Sequence, residues 1–303
     1  MIEFHNIFVV QVLLICLMLV GVVTTKIGIV GDQARSSLTD LILYVFLPAN
    51  ILSSFLGTDR SQLPSLGMML IISLGIMILS FTLALLLYKR VGSAQKKVLI
   101  YATLISNASF LGNPVVESIY GIEALPYVAA YLVPLRVALW TVGLMIFTGS
   151  KGNLKKVFLH PCIVATYLGL LVMFTGFVPP VLISRLLFTL GSCTIPVSMM
   201  VVGGILATVD TKKVLTKLTV YYTVIRLAII PLLVMGILLA LRPDPMVAGI
   251  SVLLSAMPAG ATTPILAEKY GADRELASKI VFVSTLLSII SAPLLAWLLG
   301  RVF

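Results

Sequence analysis

The chain has 303 residues, of which 60% are apolar and 11% are charged, and its net charge is +10. The charged share is about half of the ~25% that is usual in a soluble domain, so the composition excludes a water-soluble globular protein. Most of the folded surface must face lipid. The excess of positive charge then concerns membrane topology, and no nucleic-acid partner is expected.

Ten apolar segments follow one another along the chain, each close to the ~20 residues that an α-helix needs to cross a bilayer. They lie near residues 7–25, 38–56, 65–88, 98–119, 125–148, 158–176, 182–206, 216–241, 246–268 and 277–299. The first has Glu3 and no basic residue ahead of it, which favours a membrane helix over a signal peptide. The sequence predicts an all-α membrane protein with ten transmembrane helices, numbered 1 to 10, and no soluble domain.

The basic residues are unevenly distributed between the two sides of such a membrane domain. Fifteen lie in the connections after helices 1, 3, 5, 7 and 9, namely Lys26, Arg35, Lys89, Arg90, Lys96, Lys97, Lys151, Lys155, Lys156, Lys212, Lys213, Lys217, Lys269, Arg274 and Lys279. The opposite side has four, namely Arg60, Arg185, Arg242 and Arg301. Because cytoplasmic loops carry the excess of Lys and Arg, this pattern predicts a multi-pass protein of the cell membrane with both termini outside.

Two pairs of stretches half a chain apart resemble each other. "PVVESIYG" (114–121) in helix 4 and "PILAEKYG" (264–271) in helix 9 both have a proline followed by Tyr-Gly, 150 residues apart. "FLPANILSSFLG" in helix 2 and "TIPVSMMVVGGIL" in helix 7 have a similar offset. We therefore predict two five-helix repeats, residues 1–150 and 151–303. Since five is odd, the second repeat must be inverted in the membrane, which is the architecture of many secondary transporters.

Helices 4 and 9 are predicted to be broken. "SNASFLGNPVVESIYG" (106–121) and "MPAGATTP" (257–264) combine proline and glycine with polar residues. Irregular backbone at membrane depth is tolerated only where it is buried in protein or lines a wet cavity. We expect breaks at Pro114 and Pro264 that cross near the midplane, with the amino ends of half-helices facing a bound anion. The alternative is a pair of proline kinks that bend two packed helices.

These two motifs carry a family resemblance. "NASFLGNPVVESIYG" resembles the N-x-x-F-L/M-G-x-P signature of the auxin efflux carrier family, and "SAMPAGATTPILAEKYGAD" resembles its A-M-P…A-x-x-Y-G segment. The short connection "TGSKGNLKKVFLHP" is similar to the bacterial branch. The resemblance implies a scaffold of helices 1, 2, 6 and 7, a transport domain of helices 3–5 and 8–10, and elevator-type alternating access. It also implies an auxin-like or a malate- or malonate-like substrate.

Eight residues are candidates for substrate binding, namely Asn50, Asn107, Asn113, Pro114, Arg136, Ser198, Thr262 and Thr263. Asn107 matches the family's asparagine and is expected about one turn before the break. Its amide can bind a carboxylate or satisfy backbone groups at a kink. Asn113 is expected to cap the backbone beside Pro114 more than to contact a ligand.

For the other polar candidates, a structural hydrogen bond is the alternative to ligand contact. For Thr262 and Thr263 the default is a hydrogen bond to a helical carbonyl, with ligand contact as the alternative. Asn50 and Ser198 each lie two residues after the proline of helix 2 or helix 7. They either meet the ligand from the opposite side or form hydrogen bonds between helices.

Charged residues within the helices need partners, because an arginine at the bilayer centre costs about 2.5–3.5 kcal/mol. Arg136, near the middle of helix 5, suits a carboxylate ligand, and the alternative is a fixed pair with Glu117 or with helix-end carbonyls. Arg226 is closer to the cytoplasmic end of helix 8, where it can snorkel or line an inner vestibule. Glu117 and Glu268 are candidates for coupling or countercharge, or else are solvated charges.

The leading functional hypothesis is a secondary transporter of a small organic anion, either a mono- or a dicarboxylate. No nucleotide-binding loop is present, so energy is expected from the membrane potential or from H⁺ or Na⁺ coupling, without a cofactor. The alternatives are a gated anion channel or a membrane sensor. An intramembrane enzyme is disfavoured because the helices have no nucleophile–base pair and no metal-ligand spacing. The oligomeric state is open, with a homodimer as one option.

Overall fold

The computed structural model describes residues 4–56, 63–121, 124–148, 159, 161–207 and 214–302. All regular elements in these residues are helical. In chain order they are α1 (Phe4–Lys26), α2 (Asp32–Leu41), α3 (Leu47–Phe55), α4 (Leu63–Leu87), α5 (Ser93–Leu104), α6 (Asn113–Tyr120), α7 (Leu125–Trp140), α8 (Val142–Thr148), α9 (Pro161–Thr175), α10 (Val181–Ser192), α11 (Thr194–Ala207), α12 (Lys217–Val224), α13 (Ile230–Leu241), α14 (Pro245–Ser255), α15 (Thr262–Lys269) and α16 (Arg274–Val302). Short π-helical turns occupy Ile42–Phe46, Ala108–Gly112 and Ile225–Ile229.

Six helical runs in the described part of the chain are long and apolar enough to cross a membrane. They are Asp32–Ser53, Leu66–Leu87, Ala130–Thr148, Val181–Ile205, Lys217–Leu241 and Arg274–Val302. They coincide with predicted helices 2, 3, 5, 7, 8 and 10, which confirms a helical protein of membrane type. Ile15–Lys26 and Pro245–Ser255 are shorter apolar helices within predicted helices 1 and 9. The full count of ten spans remains a prediction.

Helix α1 packs against α11 along a line of backbone contact. A Cβ atom added to Gly21 would lie 2.1 Å from the carbonyl oxygen of Met200, and one added to Gly203 would lie 1.9 Å from that of Met18. Only glycine permits such an approach. Small residues at an interface are the usual means by which membrane helices gain packing energy without a hydrophobic driving force.

Helix α3 packs against both α9 and α10. The ring of Phe55 fills the space above Gly169, where an added Cβ would lie 2.2 Å from the ring. On α10, Gly191 lets the backbone of Asn50 approach, because an added Cβ would lie 2.9 Å from the Asn50 Cα. Predicted helices 2, 6 and 7 therefore form one closely packed group.

Two interrupted helices cross at their interruptions. Helix α5 ends at Leu104 and α14 ends at Ser255. Residues 105–107 and 256–261 then run antiparallel, with a β-bridge between Ser106 and Ala259. The Asn107 amide donates to the Pro258 carbonyl at 2.8 Å, and the Gly260 amide donates to the Ile105 carbonyl at 3.1 Å. Predicted helices 4 and 9 are thus broken and crossed.

The position of the breaks corrects the sequence prediction. Pro114 is the second residue of α6, directly after the π-helical turn Ala108–Gly112, and Pro264 is the third residue of α15. A proline lacks an N–H, and the first turn of α15 has no intrahelical partner for one, so Pro264 is tolerated there, whereas Pro114 follows a π-helical turn that is continuous with α6. The prolines therefore lie in the helices that follow the breaks, and Asn107 lies within a break and not a turn before it.

The repeated Tyr-Gly pair has the same structural role in both halves. Gly121 follows α6 with a φ of 80°, and Gly271 follows Tyr270 at the end of α15 with a φ of 65°. This left-handed conformation is strained for residues with a side chain and ends helices at glycine. The similarity between these two stretches, 150 residues apart, thus corresponds to matching helix ends.

Candidate functional site

The crossing is stabilised by buried donors that satisfy helix-end carbonyls. Arg226 is 3% exposed, its Nε donates to the Met257 carbonyl at 2.9 Å, and its Nη1 donates to the Thr103 carbonyl at 3.2 Å. Tyr222 donates its hydroxyl to the Ala102 carbonyl at 2.9 Å. Carbonyl ends of helices carry partial negative charge, so a cation is favourable here. Arg226 therefore fixes both interrupted helices and does not snorkel to the surface, which corrects its expected position.

A cavity of about 50 Å³ lies beside the crossing, between α3 and α7. Its lining comprises Leu47, Asn50, Ile51, Ile105, Ser106, Asn107, Ser109, Leu132, Leu135, Arg136, Leu139, Trp140, Gly260, Ala261 and Thr262. One water needs about 10–15 Å³ on this scale, so the cavity accepts a small ligand in place of several waters. Both breaks contribute to its wall.

Arg136 is the charged residue of the cavity lining, and no carboxylate among the described side chains forms an ion pair with it. The residue is 6% exposed, and its Nη1 atom is buried without a hydrogen-bond partner in the described structure. Its Cζ lies 5.5 Å from the centroid of the Phe55 ring, a cation–π contact across to α3. A buried guanidinium with an unused N–H is unfavourable. An anion in the cavity would supply the missing acceptor.

The amino end of α15 adds a second source of positive potential. Gly260, Ala261 and Thr262 all line the cavity at the start of this helix. The N-cap residue of this helix is Ala261, and it makes no side-chain capping hydrogen bond. Free N–H groups and the helix dipole make such an end favourable for anions. Thr262 is held by a hydrogen bond of 2.8 Å between its Oγ1 and the Tyr101 hydroxyl.

Two asparagines that were predicted as candidates for substrate binding lie in the cavity lining. Asn107 is 3% exposed, and its backbone is fixed by Pro258 on one side and by Leu111, whose amide donates to the Asn107 carbonyl at 3.0 Å, on the other. Asn50 faces the cavity from α3, and its Nδ2 makes a long contact of 3.5 Å with the Gly191 carbonyl. Their amides can donate to a carboxylate.

The remaining polar candidates lie elsewhere. Thr263 is buried outside the lining and donates its hydroxyl to the Gly260 carbonyl at 2.7 Å, which is the back-bonding alternative. Ser198 is buried in α11, also outside the lining. The side chains of Asn113, Pro114 and Glu117 lie outside the described residues.

Glu268 takes part in an ion-pair cluster at the end of α15. Its Oε1 lies 3.4 Å from Arg35 Nη2 on α2 and 3.3 Å from Arg274 Nη1 on α16. Arg35 is 1% exposed and also pairs with Asp32 at 2.5 Å. Lys269 forms a further ion pair with Asp40 of α2. Arg35, counted above as a loop residue, is therefore a buried link between α2 and the end of α15.

Sequence reasoning missed Ser106, Ser109 and Tyr101. The two serines stand within the polar stretch 106–121, so their neighbourhood was recognised while their contribution to the cavity was not. Tyr101 is an ordinary aromatic residue of an apolar helix, and its contact with Thr262 depends on a packing that periodicity does not reveal.

Comparison with known proteins bears on this geometry. The chain matches the family described as "Membrane transport protein", that of the auxin efflux carriers, over residues 7–157 and 150–296. The chain belongs to the auxin efflux carrier family. Family membership confirms the resemblance of the two crossing motifs and makes the protein a multi-pass membrane transporter.

Relatives in this family are similar over almost their whole length. An "Uncharacterized transporter" of Methanothermobacter thermautotrophicus is 28% identical over 92% of this chain and 93% of its own. A "Putative malonate transporter" of Rhizobium meliloti is 24% identical over 93% of this chain and 92% of its own. An uncharacterized transporter of Methanocaldococcus jannaschii is 25% identical over 96% of this chain and 98% of its own.

Proposed function

We propose that this member of the auxin efflux carrier family is a secondary transporter of a small organic anion. The observation that carries the proposal is Arg136, a buried guanidinium with an unpartnered Nη1 in a cavity beside two crossed, interrupted helices. Arg136 supplies the charge, and Asn50, Asn107 and Thr262 supply neutral donors. A carboxylate is the anion class that this set of groups suits, and one relative is named as a putative malonate transporter.

An inverted repeat of residues 1–150 and 151–303 fits this arrangement. The antiparallel bridge between the two breaks and the matching glycine ends of α6 and α15 support it. Half-helices that enter from opposite sides and meet at a ligand site are typical of transporters with inverted repeats. In this proposal the protein lies in the cell membrane with both termini outside.

In elevator-type alternating access, the cavity is the substrate site between the scaffold and the transport domain. Packing of α1 on α11 and of α3 on α9 and α10 supports a scaffold of predicted helices 1, 2, 6 and 7. Packing of α4 on α7 and α14, and of α16 on α12 and α15, supports a transport domain of helices 3–5 and 8–10. The cavity then lies between Asn50 of the scaffold and Arg136 with the crossing of the transport domain. Movement of one against the other exposes it to each side in turn.

Two glutamates are assigned as countercharge and coupling residues. Glu268 acts as a countercharge to Arg35 and Arg274, while Glu117 is kept as the candidate for coupling because it follows the break in helix 4. Arg226 is the structural cation of the crossing. The driving force is the membrane potential or a cotransported H⁺ or Na⁺.

Exchange in liposomes tests the function. Purified protein is reconstituted with an unlabelled carboxylate inside, and uptake of the labelled acid outside is measured. A transporter gives saturable counterflow, and Asn107→Ala and Arg136→Gln should each lower it at least about tenfold, the loss expected for one charge-assisted contact. Arg185→Gln, which changes an exposed arginine of α10, is the matched control and should exchange normally. Non-saturable flux without counterflow would favour an anion channel.

A further inference from the structure

We propose that the cavity selects singly charged carboxylates with a short apolar body over dicarboxylates, and that Arg136 sets this selectivity. The inference rests on the proposed function, because it concerns the substrate of the same site. It goes further by fixing the number of charges that the site compensates.

The first argument is the count of charges in the cavity wall. Among its fifteen lining residues, Arg136 is the charged one, and none is a carboxylate. A further cation, Arg226, lines an adjoining space of about 10 Å³ that shares Ser106 and Leu135 with the cavity. Its Nε and Nη1 are already bonded to helix-end carbonyls. Among the described side chains, the site therefore has one positive charge that no carboxylate compensates.

The second argument is the cost of a second carboxylate. One carboxylate at Arg136 gains a charge-assisted contact and replaces the missing acceptor of Nη1. A second carboxylate on the same ligand would meet neutral donors such as Asn50 and Ser109 and the amino end of α15, whose partial charge of about half an elementary charge does not compensate a full negative charge. Burying a charge without a countercharge is strongly unfavourable. Dianions are therefore excluded from the cavity mainly because the second carboxylate loses its hydration without gaining a countercharge, and less because of their shape.

The third argument is the apolar face that surrounds Arg136. Leu132, Leu135 and Leu139 line the cavity from the same side of α7 as the arginine, at helical spacing. Ile51 of α3 lies in the facing wall. A ligand whose carboxylate contacts Arg136 thus places the rest of its body against hydrocarbon. The cavity volume of about 50 Å³ corresponds to a few waters, so that body has a few carbon atoms.

The test compares acids that differ in charge but little in size. Liposomes with and without the protein are loaded with labelled propionate or butyrate, and only the exchange that requires the protein is counted, because the uncharged monoacids cross bilayers unaided. Exchange is measured at pH 7.5 against propionate, butyrate, malonate and succinate, since both diacids are dianions at that pH. We expect the monocarboxylates to exchange and the diacids to compete at least about tenfold more weakly. Malonate or succinate competing equally or better would overturn the inference.

A second cation introduced into the cavity wall provides a test whose expected result is a change of selectivity and not a loss of activity. Asn50→Lys places a positive charge in the cavity wall facing Arg136 and should shift selectivity at least about tenfold towards malonate. Arg136→Gln should abolish the preference between one and two charges, and a retained preference would contradict its assigned role. Arg242→Gln on the surface is the control. If no carboxylate of either class exchanges, the transport function fails, whereas exchange with the opposite preference overturns only the selectivity.

Discussion

Two buried arginines line adjoining cavities and have opposite surroundings. Arg226 donates to two helix-end carbonyls, whereas Arg136 keeps an unpartnered Nη1 and contacts the Phe55 ring. A buried polar group that loses its partner costs about 1–3 kcal/mol, while a buried charge without a partner is itself a cost of the folded state. The two residues should therefore contribute to stability with different signs.

Substitution by methionine, which has a similar length and no charge, separates these contributions. We expect Arg226→Met to lower the thermal unfolding temperature of the detergent-solubilised protein, because it leaves the Thr103 and Met257 carbonyls without donors. Arg136→Met should keep or raise the unfolding temperature of the ligand-free protein. Equal destabilisation by both variants would show that Arg136 is a structural residue as well.

Sequence reasoning identified residues by type and depth better than by orientation. Asn107 and Arg136 were selected by motif and by position in an apolar helix, and both line the cavity. Ser198 and Thr263 were selected on the same kind of argument and lie outside the lining. The direction in which a side chain points in an apolar helix depends on which neighbours surround it, and a uniformly apolar segment gives little sign of this.

At the scale of elements, the ends of helices were the hardest feature to predict. Helix 2 begins at Asp32 and not near residue 38, because the polar stretch of α2 buries Arg35 and Thr39 against the protein. The breaks were expected at prolines, yet they occupy residues 105–107 and 256–261, where the two segments form backbone hydrogen bonds with each other. A proline reflects only the local backbone conformation of its own helical turn. The position of a break depends on the other segment, with which the interrupted backbone forms hydrogen bonds.

The cluster of Arg35 and Glu268 links α2 to the end of α15. Arg35 Nη1, Glu268 Oε2 and Thr25 Oγ1 are buried there without hydrogen-bond partners in the described structure. Gly204 leaves room beside them, because an added Cβ would lie 2.8 Å from Thr25 Oγ1. Charges packed so closely depend on each other, so removal of one leaves the other unfavourably placed.

A double-variant cycle measures this dependence. Arg35→Gln and Glu268→Gln should each lower stability by about 1–3 kcal/mol, below the ~3–5 kcal/mol of a fully buried pair because the Glu268 side chain is 22% exposed. The double variant should lose less than the sum of the two. Arg185→Gln serves as the exposed control. Additive losses would mean that the two side chains act independently.

At the scale of the whole molecule, orientation in the membrane is the feature on which the inverted repeat depends. In a variant with Cys16, Cys162 and Cys193 changed to serine, a cysteine at Val178 should react with an impermeant maleimide on intact cells. A cysteine at Ser93 should react only after the membrane is opened. Val178 is exposed between α9 and α10, and Ser93 is exposed as the first residue of α5. The reverse labelling would contradict the assignment of the basic loops to the cytoplasm.

If the proposed inverted repeat is correct, the antiparallel bridge between Ser106 and Ala259 has a consequence for the origin of the chain. Each half contributes one strand of the crossing and one part of the cavity wall, so neither half forms the cavity alone. An ancestral protein of one half would need a second copy inserted in the opposite orientation to complete the same pair of hydrogen bonds. Such a dual-topology ancestor requires nearly balanced basic residues in its loops, and only after fusion of two copies could each half acquire its own fixed charge bias.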